Sequence, residues 1–271
     1  VATDCASCSA ALRAVAAASD ERLEALGGLW DPWGGTPPEG ASAPAAVSEA
    51  PTDVSAFVAW LARTATRDLE IAADTNRTSA DEARTLAAAA LGRYASAVTI
   101  AQAYGIDLDA GLDQALLIND RVNAASRQGV QTWSIDLFDT PAISASFAPS
   151  GKDLASSQEL SSAVATWDCT ASTLPPAQVS AGTLTDAYAV SGELLTRADT
   201  ALRAGAADTR TPRCTLGFLD APSLASNLLA ADSAMLASNS SDVRSAGASA
   251  ALADIQQWAP RTSLPALIGT R

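Results

Sequence analysis

The sequence predicts an all-α protein, an antiparallel bundle of about seven or eight helices or two packed bundles joined by long irregular connections. Apolar residues recur at spacings of three and four, and alanine dominates an apolar content of 48%. Only 5% of the 271 residues are aromatic, which implies closely packed helices with small side chains between them.

The first helix is expected over Ser9 to Leu26, with Leu12, Val15, Leu23 and Leu26 facing inward and Gly27-Gly28 stopping it. From Trp30 to Ala50 the composition changes to Pro, Gly, Ser and Ala, the pattern of an irregular strap. A second helix runs from Thr52 to Asp74, with Val54, Phe57, Val58, Leu61, Ala65, Leu69 and Ala72 on one face and Arg63, Arg67 and Glu70 opposite. Ser79 and Glu82 have capping-box spacing, which opens a third helix reaching Tyr104 with Leu86, Ala90, Leu91, Tyr94 and Val98 inward. These two helices form a hairpin.

A fourth helix is expected from Asp107 or Asp109 to Gln128, and Val130 to Lys152 is irregular, with room for a short strand-like piece. The fifth covers Asp153 to Trp167 and gives way to a Pro-Pro turn at Cys169 to Ala177. The sixth begins at Thr183 or Asp186 and turns Leu184, Ala187, Tyr188, Leu195, Ala198 and Leu202 inward. Asp220 and Pro222 open the seventh, whose Leu224, Leu228, Ala231 and Met235 repeat at core spacing. The last runs from Ser241 to Trp258, ahead of Pro260. In domain terms, 1–50 is a helix with its strap, 51–128 a first bundle unit, 129–180 an irregular segment with a connecting helix, and 181–271 a second unit. All four are expected in one compact domain. Ala72-Ala73-Asp74-Thr75 and Ala206-Ala207-Asp208-Thr209 hint at internal repetition, each being followed by an Arg-Thr pair.

The chain has no histidine, which removes Ser-His and Cys-His nucleophile pairs and every imidazole metal site. A ferritin-like shape is therefore compatible with the sequence, but a Glu-x-x-His di-iron centre is not. Thirty acidic against 17 basic residues argue against a nucleic-acid partner, and no uninterrupted apolar run is long enough to span a membrane. No charged and apolar leader opens the chain, and Ala2-Thr3-Asp4-Cys5 does not resemble the pattern preceding a lipidated cysteine. Asp107-Leu-Asp109-Ala-Gly111 departs from a calcium loop in its glycine position and its closing residue, and reads as a helix start. No metal or cofactor is expected.

Cys5, Cys8, Cys169 and Cys214 are an even set in an acidic chain, so two disulfides and an oxidising, extracellular or cell-surface location are expected. Three pairings are possible. The crossed ones close loops of about 150 residues or more and would clasp the two ends of the fold, the arrangement expected here. Cys5-Ala-Ser-Cys8 also has the spacing of a redox pair, though no strand precedes it.

Trp30-Asp31-Pro-Trp33 can stack on a sugar ring or cationic head group, with Asp31 as polar anchor, or simply plug the bundle. Asp136 and Asp139 offer a pair of carboxylates and Ser150 with Lys152 a serine-lysine pair, neither supported by a second motif. No catalytic residue is assigned. The function expected is that of an exported or cell-surface helical module with a binding or structural role and no catalysis, its partner an unknown small molecule, glycan or protein. The alternatives are a polysaccharide hydrolase using paired carboxylates and tryptophan subsites, and a thiol-disulfide oxidoreductase working through Cys5 and Cys8.

Overall fold

Ser79 accepts the backbone N–H of Glu82 while the Glu82 carboxylate accepts that of Ser79, and this reciprocal cap fixes the start of the central helix α3 (Ala80–Tyr104). Gly105 ends it in the left-handed region at φ 64°, the conformation that a side chain disfavours. Asp53 caps α2 (Val54–Ala73), and the 74–79 connection folds α2 back along α3. The computed structural model describes residues 5–28, 39, 50–108, 146–181, 187–214, 216–217 and 220–269. Those residues also form α1 (Ala6–Ala25), α4 (Gln158–Ala181), α5 (Ala187–Arg203), α6 (Ala221–Met235) and α7 (Ser241–Trp258), with a 3-10 turn at Leu154–Ser156. They contain no strand, so the fold is all-α and a helical bundle.

Two apolar clusters meet on α7. Leu61, Leu69, Leu91, Ile100, Leu252 and Ile255 belong to the first, which draws on α1, α2, α3 and α7 with Leu229 of α6. Leu160, Trp167, Leu194, Leu224, Val243 and Trp258 belong to the second, which draws on α4, α5, α6 and α7. Alanine supplies little area per residue, so the helices must approach closely to exclude water. Gly247 makes that approach possible. A Cβ there would sit 2.7 Å from Met235 Cβ and 2.8 Å from the Asp232 carbonyl oxygen. A Cβ at Gly92 would collide with the carbonyl of Ala266, where the C-terminal segment crosses α3 and Ile268 N–H donates to Ala88 O at 3.2 Å.

Long polar side chains reach across the gaps that alanines leave. Buried Arg244 donates to Ser238 O, Ala72 O, Thr78 O and Thr78 Oγ1, so one guanidinium serves the α2 C-terminus, the α2–α3 turn and the α6–α7 turn. Burial lowers its pKa. Asp74, which acts the other way, does not cancel that effect. Buried Arg22 donates to Ala266 O and to Ser96 Oγ, tying α1 to α3 and to the C-terminal segment. The two short repeats share a turn as well: Asp74 Oδ1 accepts from Asn76 N–H, and Asp208 Oδ1 from Arg210 N–H. Hydrogen bonds from the Arg210 side chain and backbone hold the Asp208 carboxyl down to about 2.

Several expectations need correction. On α1 the buried line is Cys8, Ala11, Val15 and Arg22, while Leu12, Leu23 and Leu26 are 38%, 40% and 49% exposed. Arginine carries the core contact because its hydrogen bonds to α3 and Ala266 outweigh the pull of three leucines at another angle. On α5 the buried line is Ala187, Val190, Ser191, Leu194, Arg197, Ala198 and Ala201, whereas Tyr188 and Leu195 are 70% and 44% exposed. Again an arginine stands where a leucine would be sought.

The fifth predicted helix does not stop at Trp167. After the 3-10 turn, α4 runs on through Cys169, Pro175 and Pro176 to Ala181, replacing the predicted turn. Proline in a helix interior costs about 3 kcal/mol, but buried Trp167, Ala171 and Leu174 hold this helix in the second cluster. Cys169 pairs with Cys214 and Cys5 with Cys8, at Cα separations of 5.5 and 5.2 Å. No bridge clasps the chain's two ends. The nearest partners in space are local because α1 packs on α3, away from α4.

The predicted second, third, seventh and last helices are present with their expected inward residues, apart from Val54, Phe57, Leu86 and Ala231, which are only half-buried. The fourth predicted helix beyond Leu108, the Trp30 to Ala50 strap except Glu39 and Ala50, and the 130–145 part of the irregular stretch lie outside the described residues. Residues 146–150 carry neither helix nor strand.

Replacing Gly247 by valine should lower unfolding free energy by about 2 kcal/mol or more, as overpacked cores do, measured as a drop in urea midpoint. Ser245→Val, at an exposed site on the same helix, should change it by under about 0.5 kcal/mol.

Candidate functional site

Three charged side chains lie inside the second cluster. Asp232 on α6 and Asp254 on α7 are 0% and 1% exposed, and Arg197 on α5 is 8% exposed. Arg197 Nη2 donates to Asp254 Oδ1 at 2.7 Å. Asp232 Oδ2 is 3.7 Å from Arg197 Nη1, beyond hydrogen-bond range, and Asp232 Oδ1 instead accepts from Trp167 Nε1 at 2.9 Å. The Arg197 guanidinium carbon lies 5.4 Å from the centroid of the Trp167 ring, within cation–π range.

One guanidinium cannot neutralise two carboxylates. Burial, then the neighbouring Asp254 charge, raises the Asp232 pKa well above its usual range, against the opposing attraction of Arg197. A proton on Asp232 balances the set at one positive and one negative charge. It also satisfies the hydrogen bond between the two carboxyls, whose Oδ2 atoms otherwise have no donor. Burial opposes the Arg197 charge too, but the attraction of Asp254 and then Asp232 outweighs it and holds the guanidinium charged.

Arg197 alone of this cluster reaches an open groove of about 530 Å³, lined by Phe147, Ala189, Gly192, Glu193, Thr196, Arg197 and Thr200. Five of those residues occupy the outer face of α5, and Phe147 closes the groove from the 146–150 segment. The Phe147 ring meets the Trp167 ring edge-on at 5.3 Å, so one aromatic contact positions the groove wall and the buried network together. Thr196 and Thr200 hydroxyls donate to the carbonyls of Gly192 and Thr196. Gly192 has open space where a side chain would stand.

The sequence-derived candidates Trp30, Asp31, Trp33, Asp136 and Asp139 lie outside the described residues. Ser150 and Lys152 are exposed at a loop that meets the start of α7, where Asp242 crowds Gly151. The disulfide candidates resolve into two separate places: Cys5 and Cys8 at the α1 N-terminus, and Cys169 with Cys214 beside the second cluster. Among the described residues no group of His, Cys, Asp or Glu is arranged to hold a metal ion.

Sequence reasoning missed Arg197, Asp232 and Asp254. Their signal was positional: Arg197 continues Val190 and Leu194 at core spacing, Asp232 falls between Leu228 and Met235, and Asp254 lies four residues before Trp258. A charged residue that interrupts a buried line on each of three helices marks an interior network. Comparison of the chain with protein-family models, curated proteins and solved structures gives no match.

The raised Asp232 pKa has a definite sign. Its stabilising contribution is complete below pH about 3.9 and is lost as pH rises toward the folded-state value. Asp232→Asn keeps an acceptor for Trp167 and a donor for Asp254, so it should gain stability relative to the natural protein as pH goes from 4 to 8, followed by urea unfolding. Asp254→Asn strips Arg197 of its close partner and should cost about 3–5 kcal/mol at pH 7. Equal losses from both variants would contradict this division of charge.

Proposed function

We propose that the protein is an exported helical binding module whose ligand is a small organic cation with an apolar portion, held in the groove between α5 and Phe147. The observation that carries this reading is the groove itself, about 530 Å³ and within the range of small-molecule sites. Its lining supplies an apolar ring, two threonine hydroxyls and the exposed carboxylate of Glu193. Arg197 is paired with Asp254 behind the groove, and Glu193 is the exposed carboxylate on the wall that a ligand meets.

The formal charge of -13 acts in the same direction by attracting cations to the protein as a whole. Asp232 and Asp254 are buried and committed to Arg197 and Trp167, an arrangement that favours a structural over an acid–base role. Export is supported by the two cysteine pairs at disulfide distance, since such bridges persist in oxidising compartments. No helix among the described residues is long and apolar enough to cross a membrane.

Thermal-shift and calorimetric titration against aromatic amines, carboxylates and oligosaccharides tests the reading. An amine should stabilise the natural protein, Glu193→Gln should weaken its binding at least tenfold, and Gly192→Phe should abolish it by filling the groove. Oligosaccharide binding lost in Trp30→Ala and Trp33→Ala, but kept in Gly192→Phe, would favour the hydrolase alternative instead. Four free thiols in the native protein by mass spectrometry would remove the argument for export.

A further inference from the structure

Cys5 is the N-cap of α1: its Sγ accepts the Cys8 backbone N–H at 3.2 Å and lies 3.2 Å from Ser7 Oγ. The two sulfurs of this pair are unequal. Cys5 is half-exposed, whereas Cys8 is 7% exposed and its Sγ lies 3.3 Å from the carbonyl oxygen of Ala103 on α3.

Stability alone gives little reason for such a bridge. The entropic stabilisation from a crosslink grows with the loop it closes, and Cys5 and Cys8 are only three apart, against 45 for Cys169 and Cys214. The N-terminal bridge therefore constrains the unfolded chain far less than its counterpart. Its position favours reactivity instead, because a helix N-terminus stabilises a thiolate through its free N–H groups and dipole.

We propose that Cys5 and Cys8 are a thiol-disulfide exchange centre that oxidises the dithiols of peptide or protein substrates, with Cys5 the attacked sulfur and Cys8 the resolving one. A substrate thiolate attacks Cys5 Sγ, the Cys5–Cys8 bond breaks, and Cys8 leaves as a thiolate that takes up a proton. The resulting thiol has an acceptor in Ala103 O. The second substrate thiolate then attacks its partner sulfur in the mixed disulfide and expels Cys5, whose thiolate the Cys8 N–H and the helix N-terminus stabilise. Two electrons pass from the substrate dithiol to the pair, the substrate closes its own disulfide, and a low-molecular-weight disulfide re-oxidises Cys5 and Cys8.

The test uses the full chain with dithiothreitol as the dithiol, quenched by alkylation and read by mass spectrometry. Cys5–Cys8 should open at least ten times faster than Cys169–Cys214, and limiting iodoacetamide should then label Cys5 ahead of Cys8. Cys8→Ala, mixed with a peptide disulfide, should trap a mixed disulfide on Cys5; Cys5→Ala should trap at least ten times less on Cys8. Equal opening of the two bridges, or equal trapping on the two cysteines, would overturn the proposal. The opening rates decide it on the natural protein even where a variant fails to fold.

Discussion

Arg197 cannot leave the interior without exposing the core behind it, and it cannot stay there without Asp254. This ion pair joins α5 to α7, and the neighbouring Asp232 and Trp167 bring α6 and α4 into the same set. Its charges balance when Asp232 holds a proton, the direction in which burial and the Asp254 charge push that carboxyl. The same guanidinium backs the groove and lies over Trp167, whose edge meets Phe147. Interior electrostatics and groove shape therefore share one anchor.

The need for such an anchor follows from alanine. Helices faced with methyl groups gain little dispersion or area per residue, so they pack closely and depend on a few long side chains for specificity. Gly247 lets α6 and α7 approach, and Trp167 and Trp258 fill the space that methyl groups leave. Arg22 and Arg244 do at the edges what Arg197 does in the centre. Each satisfies backbone carbonyls or hydroxyls from segments far apart in the chain, which fixes how those segments meet.

The groove and the Cys5–Cys8 pair occupy different helices and involve different chemistry. The groove offers recognition: an aromatic wall, threonine hydroxyls and one exposed carboxylate. The cysteine pair offers electron exchange at a helix end, with one sulfur accessible and the other covered by α3. The Cys169–Cys214 pair differs from both, joining the middle of α4 to the connection that follows α5.

The sequence by itself determined the helical class, because apolar spacing of three and four repeats through α2, α3, α6 and α7, and local caps at Asp53, Ser79, Asp220 and Ser240 need no tertiary context. It also excluded imidazole chemistry through the absence of histidine. Helix extent across Pro175 and Pro176 was not legible, since propensity there opposes the burial of Trp167 and Leu174. Nor were the inward faces of α1 and α5, where Arg22 and Arg197 take positions that hydrophobicity assigns to leucine. Only the tertiary structure could choose among the three cysteine pairings and bring Arg197, Asp232 and Asp254 together. Those choices depend on distances between helices remote in sequence, and the charge of a buried group becomes favourable only when its partner is already in place.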